Sequence, residues 1–127
     1  MGSRLLKISK EDYLEAILIC TNKFGACRVT DVAAQLGHSK ASVSVALSKL
    51  ETEGLVIKDD WRVLLSDSGK AFAEKILERH IFFLKWFEHI GIDDETAKED
   101  ACLIEHAISD TTFEKMLVYL KNLDKEL

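Results

Sequence analysis

The chain has 127 residues, 47% of them apolar, and a formal charge of −5, enough for one domain or for two small ones sharing a core. No run approaches transmembrane length and no signal-peptide pattern follows Met1, so we expect a cytoplasmic protein with no membrane partner; cysteines at 20, 27 and 102 show no paired spacing and speak against a disulfide framework. The acidic total speaks against nucleic acid only until its distribution is read: Val32 to Leu50 contains no acidic residue, whereas Asp93 to Asp110 contains seven against the single Lys98.

With no proline and six glycines, helices joined by short connections are expected. From Ser9 the run SKEDYLEAILIC reads as a helix capped by Ser9, with Glu11 and Asp12 in its first turn and Leu14, Ile17 and Leu18 as its apolar stripe. Asp12 and Glu15, three apart, point together; alone they read as solvated acids, with a partner as ligands. Gly25 ends this helix. Arg28 to Leu36 reads as a short helix capped by Thr30, Gly37-His38 as a turn, and Lys40 to about Glu53 as a second helix capped by Ser39, with Val43, Ala46, Leu47 and Leu50 inward. This is the helix-turn-helix pattern, whose second helix enters the major groove of DNA by its N-terminal residues.

Leu55 to Lys58 and Trp61 to Leu65, joined by a turn at Asp59-Asp60, read as a two-stranded wing. Ser39, Ala41, Ser42 and Ser44 then face base edges, and Arg28, Lys40, Lys49 and Arg62 position the phosphate backbone; the plain alternative for the serines is helix capping. The fold class is therefore mainly α: a winged helix-turn-helix DNA-binding domain over 1–70 and a helical domain over 71–127.

The long helix from about Lys70 to His89 carries Phe72, Ile76, Phe83 and Phe87 on one stripe, with Leu77, Leu84 and Trp86 widening it. That surface is too apolar for one exposed side and suits a second copy of the chain. His80, alone among apolar neighbours, reads as a core histidine, and His89 as a helix-end charge. Asp93-Asp94 opens the next helix, where Cys102, Glu105 and His106 fall at i, i+3 and i+4; a thiolate, a carboxylate and an imidazole at that spacing suit a divalent first-row transition metal. Ser109-Asp110 caps a last helix to about Leu123, followed by a frayed end.

Taken together, Glu11-Asp-Tyr-Leu-Glu15, Arg28-Val-Thr-Asp-Val-Ala33, Leu64-Leu-Ser-Asp-Ser-Gly-Lys70, Arg79-His80 and Ile104-Glu-His106 followed by Ser109 resemble the metal-dependent repressors typified by the diphtheria toxin repressor and the manganese repressor, the DtxR/MntR family. The resemblance implies a homodimer that binds a double-stranded DNA operator when a divalent metal is held. It carries Asp12, Glu15, His80, Glu105 and His106 over as ligands of the manganese branch, in a two-domain architecture. Cys102 departs from that branch, which has Glu there, and matches the iron branch. That branch in turn has Met where Asp12 stands, Glu where Leu84 stands and His where Lys98 stands.

The thiol shifts preference toward iron(II), with manganese(II) next and zinc(II), cobalt(II) or nickel(II) compatible. The mechanism expected from the resemblance is a metal-dependent tie between the first helix and the dimerisation helices, which matches the two recognition helices to paired half-sites. The alternatives are a metal-independent winged-helix regulator and, more weakly supported, a metallohydrolase. The chain has no glycine-rich phosphate loop and no nucleophile set beside a base, so an enzyme is not expected.

Overall fold

The computed structural model describes residues 2–126, with side chains described over 10–123. Six helices and one hairpin follow in the order α1 (Gly2–Phe24), α2 (Val29–Leu36), α3 (Lys40–Thr52), β1 (Val56–Asp59), β2 (Arg62–Leu65), α4 (Asp67–His89), α5 (Asp94–Ala107) and α6 (Asp110–Glu126). They divide into two compact units, 1–77 and 78–127, with the division inside the continuous α4. The expected winged helix-turn-helix followed by helices is the architecture found.

The first unit is built on the expected stripes. Leu14 and Ile17 of α1, Val32 of α2, Val43 and Leu47 of α3, and Val56 and Val63 of the hairpin share one buried core with Cys20 and Cys27. Each core element is amphipathic at its own period, so a single apolar interior satisfies helices and hairpin together.

Local chemistry corrects several boundaries. α1 begins at Gly2, because Ser3 to Lys7 holds no helix breaker. Ser9 therefore lies inside α1 rather than at its cap, with its side chain outside the described residues. Glu11, expected in a solvated first turn, is only 3% exposed. Arg28, not Thr30, is the N-cap of α2: its extended backbone presents its N–H to the Asp31 carboxylate at 3.0 Å. Ser39 caps α3 as expected, its Oγ accepting the Ser42 N–H at 3.1 Å. The hairpin turn is Asp60-Trp61, one residue later than expected, since Asp59 pairs with Arg62 in the antiparallel register and Asp60 takes the left-handed backbone (φ 58°) that aspartate tolerates.

α4 starts at Asp67, earlier than read from its apolar run, because Ser66 caps it: its Oγ accepts the Gly69 N–H at 3.1 Å and donates to the Gly54 carbonyl at 2.6 Å. Ser66 thereby ties the start of α4 to the end of α3's turn. Gly69 sits against that same segment.

In the second unit Phe83, Ala101 and Phe113 form the buried centre, with Phe82, Trp86, Phe87, Met116 and Leu117 packed around them. Asp93 caps α5 through the Thr96 N–H at 3.0 Å, a bond that lowers the Asp93 carboxyl pKa. Ser109 caps α6 by accepting the Thr112 N–H at 3.1 Å. α6 runs on to Glu126 rather than stopping near Leu123; the side chains of 124–127, where a frayed end was expected, lie outside the described residues. Ile81, Leu103, Val118 and Tyr119 remain exposed, at 42%, 71%, 58% and 67%. Among the described residues no helix is long and apolar enough to cross a membrane.

A Cβ at Gly69 would lie 2.0 Å from the Leu55 carbonyl oxygen, a backbone atom that cannot swing aside. Gly69→Ala is therefore expected to cost about 1–3 kcal/mol of stability in urea unfolding. An unchanged midpoint would show that the α4 start relaxes freely.

Candidate metal centre and nucleic-acid interface

In the second unit the residue that needs explaining is Glu105, a carboxylate with 0% exposure on α5. A buried charge is tolerated only when opposite charge, donors or a cation meet it. His80 Nδ1, from α4, lies 3.0 Å from Glu105 Oε2, and His106 Nε2 lies 3.1 Å from Glu105 Oε1. Neither approach is aligned as an N–H···O hydrogen bond. Two imidazole nitrogens beside a buried carboxylate, without donor alignment, form a donor set that fits a divalent transition metal.

The arrangement around Glu105 is held from behind by Arg79, itself 4% exposed. Its Nη1 donates to the carbonyls of Glu105 at 3.3 Å and Ile108 at 2.9 Å, its Nη2 donates to the Asp110 carboxylate, and its guanidinium lies 5.2 Å from the Phe113 ring centre. An arginine on the last carbonyls of a helix satisfies acceptors that have no partner within the helix. Arg79 thus fixes the backbone that carries Glu105 and His106. Its role is not visible in the sequence, where Arg79 reads only as the residue before His80.

Cys102, one turn before Glu105, is exposed, whereas Glu105 and His106 are buried. Asp12 and Glu15 belong to the first unit; both are half-buried on α1, with Glu15 Oε2 shielded from solvent. Among the described residues no three His, Cys, Asp or Glu side chains are gathered as a preformed cation cage. The two imidazoles meet different oxygens of Glu105 rather than one point, which accounts for that within the second unit.

The helix-turn-helix and wing present the predicted DNA-facing residues. Arg28, Ser39, Lys40, Ala41, Ser42, Lys49 and Arg62 are exposed, and Ser44 is half-buried. Ser39 is engaged in capping: its Oγ also donates to Ser42 Oγ at 2.9 Å. Val45 on α3 is 73% exposed. Two features were missed in the sequence. Lys58 of β1 donates from Nζ to Ser48 Oγ at 2.7 Å, joining wing to recognition helix. Tyr13 and His38 Nδ1 are hydrogen-bonded at 3.0 Å, joining α1 to the helix-turn-helix turn; burial, then the neighbouring Asp12 charge, raises the Tyr13 pKa. An aromatic beside a histidine turn was the available signal for the second.

Cys20 and Cys27, unrelated by any recognised spacing, are brought into side-chain contact by the turn at Gly25, and both are buried free thiols. Burial first, and then the charges of Cys20 and Asp31, push the Cys27 thiol from 9.0 up to about 12.

Comparison with known proteins matches both units. Residues 6–62 match the model "Iron dependent repressor, N-terminal DNA binding domain", and residues 66–126 match "Iron dependent repressor, metal binding and dimerisation domain". The transcriptional regulator MntR of Escherichia coli is 33% identical over 110 residues, covering 86% of this chain and 71% of its own. An HTH-type transcriptional regulator of Methanocaldococcus jannaschii is 33% identical over 119 residues, covering 89% of this chain and 93% of its own. A solved manganese-dependent transcriptional repressor in complex with manganese superposes with a TM-score of 0.76 at 26% identity, over 88% of this chain. This chain spans 52% of that protein's length.

The thiols provide a test of the local geometry. At neutral pH a chromogenic aromatic disulfide should react quickly with Cys102 alone, and with Cys20 and Cys27 only on unfolding. Because folding raises the Cys27 pKa, the folded chain keeps a proton that the unfolded chain releases. Stability from this group is therefore intact below pH 9.0 and is lost as pH rises toward about 12. Cys27→Ala should flatten that alkaline decline in a pH series of unfolding curves; an identical decline in the variant would refute the assignment.

Proposed function

Because the chain belongs to the iron-dependent repressor family, we propose that it is a metal-dependent transcriptional repressor of metal-ion homeostasis, acting in the cytoplasm as a homodimer on a double-stranded DNA operator. The observation that carries this reading is the buried Glu105 carboxylate with His80 at 3.0 Å and His106 at 3.1 Å, in a chain whose other half is a winged helix. We assign Asp12, Glu15, His80, Cys102, Glu105 and His106 as ligands, with the DNA-binding part over 1–70 and the metal-binding and dimerisation part over 71–127.

A divalent ion bound there would supply the positive charge that a carboxylate cluster in an acidic chain lacks. The residues do the rest. Glu105 gives up no solvation on binding, since burial has already removed it; Arg79 holds its backbone; the imidazoles offer nitrogen donors. The exposed apolar side chains Ile81, Leu103, Val118 and Tyr119 support pairing with a second copy. On the DNA side, Arg28, Lys40, Lys49 and Arg62 position the backbone while Ser39, Ala41, Ser42 and Ser44 approach base edges.

For the metal, relatives named for manganese do not support ranking iron(II) above manganese(II), while the Cys102 thiol favours the softer ion. We propose manganese(II) or iron(II) as the activator. The alternative reading is a metal-independent winged-helix regulator.

Operator duplexes selected from a random pool, titrated anoxically with manganese(II) or iron(II), separate the two. Wild type should gain at least about tenfold in affinity with metal, and His106→Ala should lose that gain. Cys102→Ala should keep it while shifting preference toward manganese, and in wild type bound metal should slow the reaction of Cys102 with the thiol reagent. Equal, metal-independent DNA binding by all three proteins would establish the second reading instead.

A further inference from the structure

The wing carries a large aromatic that the functional assignment above does not use. Trp61 sits in the two-residue hairpin turn and is 50% exposed. Half of an indole left in water is a cost with no return in the core, which is formed on this hairpin by Val56 and Val63 instead.

Two cations are gathered on that indole. The Arg28 guanidinium lies 4.6 Å from the ring centre and the Arg62 guanidinium 5.9 Å from it. Their placement is fixed by backbone: the Val63 N–H donates to the Cys27 carbonyl at 2.8 Å, which sets the residue after Cys27 beside the residues before Val63. Arg62 is further held by Asp59 at 2.5 Å, whereas among the described residues the Arg28 guanidinium makes no ion pair. Like charges held on one ring repel each other, and the π face and the Asp59 carboxylate on Arg62 offset part of that repulsion. An external anion reaching the Arg28 guanidinium removes more of it.

We propose that Trp61 is a positioning residue of the wing, which holds Arg28 and Arg62 as a two-pronged clamp on the phosphodiester backbone of duplex DNA. The guanidinium fork matches phosphate oxygens, and stacking on the indole presets both forks so that less side-chain freedom is lost on contact. Duplex DNA is the fitting source of phosphate because the hairpin shares its core with the helix-turn-helix. Lys58 on the same hairpin is directed elsewhere, to Ser48 of α3. The proposal rests on the regulator reading above and adds a residue to its DNA interface.

The test uses the full chain with manganese(II) and a mixed-sequence duplex long enough for one dimer, with affinity measured by anisotropy across a salt series. Trp61→Ala should bind about tenfold more weakly, with the dependence of log affinity on log salt shallower by about 1 to 2, although no charged residue has been removed. Trp61→Phe should recover part of both. Thermal unfolding of both variants should match wild type, since the side chain is half in water. If Trp61→Ala binds with wild-type affinity and slope while Arg28→Ala and Arg62→Ala weaken binding, the clamp is overturned and the regulator reading stands. If wild type does not bind the duplex at all, both fall.

Discussion

Everything in the second unit has to accommodate one carboxylate that water does not reach. Glu105 is surrounded by the resources a folded chain can bring to a buried anion: two imidazoles against its oxygens and an arginine on its own carbonyl. The arginine meets the backbone rather than the carboxylate, so the anion is not neutralised by a direct guanidinium pair. An arrangement optimised for stability alone would have paired Arg79 with Glu105 or replaced the acid with an apolar residue. The acid is kept, and the cation that could silence it is directed to helix carbonyls and Asp110. Arg79 thus serves the architecture, and the Glu105 carboxylate keeps the two imidazoles against its oxygens.

The same economy governs the first unit. A chain with a net charge of −5 must concentrate its cations locally to approach DNA. The acid-free stretch from Val32 to Leu50, with Lys40 and Lys49, does this without changing the total. Lys58 bonded to Ser48 makes the wing and recognition helix one polar surface rather than two.

The sequence made the repeating features legible and left the singular ones hidden. Leu14 and Ile17, Val43 and Leu47, and the Ser39 cap follow from helical period and local hydrogen bonding, which act within a few residues. Arg28 and Thr30 compete for one cap within two positions, and the winner depends on where Asp31 points. The Asp60-Trp61 turn depends on an aspartate adopting a left-handed backbone, which sequence permits and does not require. At the candidate metal centre, spacing placed Cys102, Glu105 and His106 on neighbouring turns but carried no information on depth: the thiol is exposed and the other two are buried. The Cys20–Cys27 contact and the Arg79 bonds join residues through the path of the whole chain, and no local pattern announces them.

The two tryptophans fall one in each unit and in opposite surroundings. Trp61 stands half in water beside two guanidinium groups, while Trp86 is half-buried among Phe82, Phe83 and Phe87. Their emission should differ in colour as well as in quenching, so the native chain contains separate optical reporters for its two halves. Replacing either one gives a protein in which the loosening of a single unit can be watched by light alone, with no label attached to the molecule.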